Sequence, residues 1–147
     1  MLFHFYNIDD QLRKYIQDDP VRPEISIEDR MAGNNRFIAG FGSPEDPGAI
    51  VCYCLVDFVP KYESELFYED NAIHDVACLY TIWSYKKGAG RKLIEAMVPF
   101  LREHYDIKRI VTLSPTTEMA RRFHLNNGAW VYRDNSDEGT VNYEYSV

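Results

Sequence analysis

Basic residues are scarce in this 147-residue chain: 16 Lys and Arg stand against 23 Asp and Glu, a formal net charge of -7. That deficit argues against a nucleic-acid binder working through a broad cationic surface. Cysteine is also scarce. Cys52, Cys54 and Cys78 are odd in number, lack the spacing of a zinc knuckle, and are too few for a disulfide scaffold. No apolar run approaches the roughly 18 residues that a membrane-spanning helix needs. The opening Met1 to Tyr6 has neither the basic flank nor the apolar stretch of a secretory leader. The expectation is a reduced, soluble, cytoplasmic protein. With 46% hydrophobic and 27% charged residues, the composition suits one globular domain over residues 1–147 with its own core.

Hydrophobic spacing then divides the chain. Ile8, Leu12, Tyr15 and Ile16 recur as the stripe of a short amphipathic helix, closed by Pro20 and Pro23, and Ile25 to Ile27 lead into an acidic turn around Glu28 and Asp29. Arg36 to Phe41 reads as a strand, Gly42 to Gly48 as a hairpin turn, and Ala49 to Val59 as a strand buried on both faces. A loop bearing Glu63, Glu65, Glu69 and Asp70 leads to a strand over Ala72 to Trp83. A helix then runs to about Tyr105 with Leu93, Met97, Phe100 and Leu101 on one face, and Pro99 predicts a distortion within it. After a short strand over Lys108 to Leu113, Ser114 and Pro115 read as the cap and first position of a helix ending at Gly128. Trp130 to Arg133 and Thr140 to Tyr145 form a terminal hairpin. Cys52 and Cys54, two apart on one strand, face the same side and read as core rather than as metal ligands.

The most informative stretch joins the strand ending at Trp83 to the following helix: Ser84-Tyr85-Lys86-Lys87-Gly88-Ala89-Gly90-Arg91. Glycines let the backbone come close to a ligand, and the start of a helix presents free N–H groups and a positive dipole end to phosphate oxygens. Lys86, Lys87 and Arg91 reverse the sign of an otherwise acidic chain at that point. The residues alone equally allow a plain strand-to-helix turn with solvated lysines. The loop is not a P-loop, which needs G-x-x-x-x-G-K-[ST]. Nor is it a dinucleotide fingerprint, whose third glycine is replaced by Leu93.

In this order, strand, basic G-x-G turn, helix, short strand and a helix ending Phe-x-x-x-x-Gly, residues 72–147 resemble the GNAT N-acetyltransferase superfamily. The family motif (Gln/Arg)-x-x-Gly-x-(Gly/Ala) is met by Tyr85 to Gly90 except at Tyr85. The later Ala-x-x-(Leu/Phe)-Tyr-x-x-x-Gly is met by Ala120 to Gly128, with His124 at the Tyr position. The resemblance implies an α/β (α+β) fold: a mixed, mostly antiparallel sheet of six to seven strands flanked by about four helices. It implies acetyl-CoA or another acyl-CoA as cosubstrate, with Lys86, Lys87, Gly88, Ala89, Gly90 and Arg91 on the pyrophosphate. The backbone of Cys78, Leu79 and Tyr80 would take the pantetheine, with Thr117 and Phe123 beside it. His74 or Asp75 would be the base that receives the amine proton, and His124, as imidazolium, the acid for the thiolate, with Tyr132 as its substitute. The acceptor would be a primary amine of a small molecule or peptide, and a homodimer is compatible with the fold. A binding module that has lost catalysis is the rival reading, drawn from the missing Tyr and the missing Gln or Arg.

Overall fold

The computed structural model describes residues 1–67 and 74–147. Glu69, Asp70 and the first two residues of the strand expected from Ala72 therefore lie outside the described residues. The chain runs β1 (Leu2–Phe5), α1 (Asp10–Gln17), α2 (Ile27–Met31), β2 (Arg36–Ser43) and β3 (Asp46–Val56), followed by a 3₁₀ turn at Glu63–Phe67. It continues through β4 (Val76–Ser84), α3 (Ala89–His104), β5 (Arg109–Thr112), β6 (Ser114–Pro115), α4 (Glu118–Asn126), β7 (Trp130–Asn135) and β8 (Thr140–Tyr145). The described strands form one sheet in the order β1-β2-β3-β4-β5-β8-β6, with β7 added beside β8. All pairings are antiparallel except β4 with β5.

The unbroken apolar run in β3 reflects its place in the middle of the sheet, covered on both faces. Val51, Tyr53 and Leu55 face the layer made by α3, where Leu93, Met97 and Leu101 are fully buried. Ile50, Cys52, Cys54 and Val56 face the opposite layer, which contains Leu12 and Ile16 of α1 and Ile27 of α2. Each such aliphatic side chain contributes about 1.5–3 kcal/mol when removed from water.

Several local expectations shift. β1 and the two-residue β6 were not legible as strands, and α2 occupies what reads as an acidic turn. Ser26 makes that helix by accepting a hydrogen bond from the Asp29 N–H at 3.1 Å. Helix α3 runs on through Pro99 to His104. The Ser114–Pro115 cap is a correction: that dipeptide pairs with Val141 and Thr140, and Thr117 caps α4 by accepting from the Ala120 N–H at 3.2 Å. Ser114 is buried, and its hydroxyl is directed to Thr112, so it is not available for a helix end.

Candidate active site

The site begins where the sheet divides. β4 and β5 run parallel from Val76 opposite Arg109 to Leu79 opposite Thr112, and one more bond joins the Leu113 N–H to the Leu79 carbonyl at 3.1 Å. Beyond that point the arms part. On its other side β4 carries a bulge: Cys52 pairs with Thr81 and Tyr53 with Leu79, so Tyr80 is the extra residue. A bulge bends its strand and takes one residue's peptide groups out of the regular ladder.

Between the parted arms lies a cleft of about 410 Å³, walled by Leu79, Ile82, Trp83, Ile94, Pro115 and Phe123. Thr117 also borders it, and Ser114 and His124 give it a polar end. Ser84 and Phe123 also line a second hollow, of about 470 Å³, formed with Tyr85 to Gly88, Gly90 and Arg91. The two spaces therefore adjoin and make one bent seat, apolar in its deeper part and basic at its mouth.

The mouth is built by backbone. Gly88 sits at φ 80°, the left-handed region, immediately before α3, and offers no side chain to cap that helix. The Gly90 and Arg91 amides of the first turn thus have no capping side chain. A Cβ on Gly90 would lie 2.9 Å from the Ser84 Oγ and 3.0 Å from a ring carbon of Phe123, so only glycine leaves the seat open there. The Gly48 carbonyl fixes the loop by accepting from the N–H groups of Tyr85 and Lys86 at 2.7 and 3.1 Å. Lys86 pairs with Asp46, and Arg91 with Glu95 one turn on. Tyr85, the departure from the family motif, donates its hydroxyl to the Asp18 carboxylate at 2.7 Å and accepts from the Trp83 indole at 3.1 Å. It fastens the loop to the end of α1.

His124 lies at the polar end, 5% exposed. Its Nδ1 is 2.7 Å from the Tyr145 hydroxyl and its Nε2 3.2 Å from the Ser114 Oγ. Because the Ser114 hydroxyl donates to Thr112 at 2.8 Å, its oxygen is left to accept from Nε2–H, and Nδ1 then accepts from Tyr145. Burial lowers the His124 pKa to about 4. That shift favours the neutral ring near pH 7 and works against the imidazolium expected to supply the thiolate proton. Tyr132, its expected substitute, is exposed and stacks under the Arg109 guanidinium at 4.3 Å, and it does not line the cleft.

The remaining expected residues separate. Leu79 and Tyr80 line the cleft, whereas the Cys78 side chain is buried in the layer opposite α3, where desolvation raises its thiol pKa well above the usual value. His74 and Asp75 precede β4, and neither lines the cleft. The Asp75 carbonyl accepts from the Lys108 N–H at 2.7 Å, so this pair marks the closed end of the fork. Ser114 and Tyr145 escaped the sequence reading. The alternation of Val141, Tyr143 and Tyr145 on one face of β8 was the available signal for the latter.

No protein-family model and no curated protein matches the sequence. Solved structures do. Malonyl-CoA decarboxylase from Agrobacterium vitis superposes with a TM-score of 0.81 at 21% identity, over 100% of this chain and 60% of that one. The GNAT domain of S. lividans PAT gives 0.68 at 15% identity over 99% and 89% of the two chains. Arabidopsis thaliana NAA60 in complex with acetyl-CoA gives 0.63 at 13% identity over the full length of both. The chain spans only 60% of the malonyl-CoA decarboxylase chains it resembles. At these identities the likeness establishes the fold: the chain has the GNAT fold, with its mixed sheet and flanking helices.

Proposed function

We propose that the chain binds an acyl-CoA along this bent seat and transfers an acetyl group directly to a primary amine. The observation that carries the reading is the continuity of the β4/β5 fork with the uncapped start of α3 at Gly88. Residues Lys86 to Arg91 would hold the pyrophosphate through backbone N–H groups and positive charge. Because the Leu79 carbonyl is held by the Leu113 N–H and the Tyr80 carbonyl by Arg22, the pantetheine would lie along β4 beyond Tyr80, past Thr81 and Ile82, with Phe123 and Thr117 along the same path. When bound, the cosubstrate supplies an activated thioester.

This chain's residues then orient and exclude water. The apolar walls hold the thioester in one pose, and positioning of that kind lowers barriers without a strong acid or base. To meet charge developing at the sulfur without a cation, the neutral Ser114–His124 pair would redirect one donor, the Ser114 hydroxyl from Thr112 or the His124 Nε2–H from Ser114. The base role expected for His74 or Asp75 would be exercised from outside this cleft, which neither of them lines.

A second reading draws on the decarboxylase neighbours and on the same neutral pair. Loss of CO₂ from a carboxylated acyl thioester needs no amine. The C–CO₂ bond would break with its electrons passing into the thioester as an enolate and CO₂ leaving. A donor redirected from the Ser114–His124 pair would stabilise the enolate oxygen, and the carbon would take its proton from water. An apolar cleft favours that step by desolvating the carboxylate.

Calorimetric titration with acetyl-CoA, CoA and ATP tests the first half. Micromolar binding of both CoA species with weak ATP is expected, and no CoA binding refutes the reading. Thiol release dependent on an added amine then supports transfer. CO₂ release from malonyl-CoA without amine supports the second reading instead. Tight binding with neither activity identifies a module that binds acyl-CoA without turnover.

A further inference from the structure

At the point where β4 and β5 part, neither arm is left with bare carbonyls. Arg22, on the connection between α1 and α2, reaches into the gap. Its Nε donates to the Tyr80 carbonyl and its Nη2 to the Leu113 carbonyl, each at 2.9 Å, while Nη1 donates to Glu63 at 2.9 Å. The register makes this placement specific. A regular parallel ladder would put the Thr81 N–H on the Leu113 carbonyl, but at the bulge the Tyr80 carbonyl faces Arg22, and the N–H of that same trans peptide is turned away from β5. Arg22 holds the Leu113 carbonyl instead. A planar guanidinium spans two carbonyls on separate strands in a way that a single ammonium cannot.

The arginine is itself held in place. Its side chain is 9% exposed. Asp19 accepts from the Val21 and Arg22 N–H groups and from the Thr81 hydroxyl through one oxygen, and from Arg30 through the other at 2.7 Å. Arg30 also donates to the Arg22 carbonyl. Buried hydrogen bonds thus fix the backbone on which Arg22 is carried, and through Thr81 they tie it to the bulged strand.

We infer that Arg22 is the positioning residue that keeps the fork open: it bridges the two carbonyls that meet at the split, holds the bulged Tyr80–Thr81 peptide turned away from β5, and so preserves the slot into which a pantetheine arm would fit. The inference rests on the acyl-CoA reading above, and it deepens that reading by assigning the deep half of the seat to a residue outside the sheet.

The two halves of the seat can be probed separately. CoA uses both. Its nucleotide half, 3′-phosphoadenosine 5′-diphosphate, uses only the mouth. For Arg22→Met, CoA affinity should fall by at least about tenfold, as two charge-assisted hydrogen bonds at the split are lost, while the nucleotide half binds within about twofold of the unsubstituted protein. Arg22→Lys, which keeps the charge but spans one carbonyl at a time, should recover part of the CoA affinity, and it decides the matter if the Met variant does not fold. CoA bound as tightly as before by a folded variant overturns the inference. So does equal weakening of both probes, which marks a general structural loss. Absence of CoA binding in the unsubstituted protein overturns the cofactor reading itself, a result visible before any variant is made.

Discussion

Replacing His124 by Gln should flatten the acid side of the stability profile. The imidazole titrates at 6.5 when unfolded and near 4 when buried beside Ser114 and Tyr145, and burial is the cause. Between those values the unfolded chain binds a proton that the folded chain refuses, so stability is lost as pH falls from about 6.5 towards 4. At about 1.4 kcal/mol per pH unit of separation, the full loss is about 3 kcal/mol, a large part of an ordinary domain's stability. Above pH 7 the two states bind equally and the effect vanishes. Urea unfolding followed by tryptophan fluorescence from pH 7.5 to 4 measures it. Carboxylates titrate alike in both proteins and cancel in the difference. The parent should lose about 3 kcal/mol more than His124→Gln over that range. Parallel curves would show that the ring is charged or solvated in the folded state, and would restore the imidazolium acid.

Two further outcomes follow from the packing. Gly90→Ala should gain roughly 0.5–1 kcal/mol of helix propensity and lose a similar amount by crowding Phe123, leaving stability nearly level while CoA affinity drops about tenfold. Unchanged calorimetric affinity would remove Phe123 and Gly90 from the seat. Arg30→Met strands the buried Asp19 carboxylate, whose partner lies at 2.7 Å with both side chains fully buried. It should cost roughly 3–5 kcal/mol, or roughly 10–15 °C in Tm. A shift under about 2 °C in a thermal melt would show that the pair is not what anchors the α1–α2 connection.

The central strand–loop–helix unit was legible because its signals are local. A run of apolar residues fits only a strand covered on both faces, as β3 is, and Gly88 and Gly90 mark the turn whatever surrounds it. Errors arose where short segments take their structure from distant partners. β1 exists because Leu2 to Phe5 pair with Ile38 to Phe41, and β6 because Ser114 and Pro115 pair with β8. Nothing in either segment announces those partners, and a Ser-Pro dipeptide before a helical pattern resembles a cap.

The sequence by itself determined the mixture of α and β segments, the glycine-basic turn, the helical stripes of α1 and α3, and the presence of a histidine on α4. These depend on periodicity and on residues that favour one backbone geometry. The tertiary structure decided the chemistry at the cleft. It lowered the His124 pKa by burying the ring between Ser114 and Tyr145, which stand ten and 21 positions away along the chain. It left His74 and Asp75 off the cleft lining, and it brought Arg22 to carbonyls 58 and 91 positions away. Protonation state and hydrogen-bond partnership are set by desolvation and by distance in space, and a linear pattern carries neither.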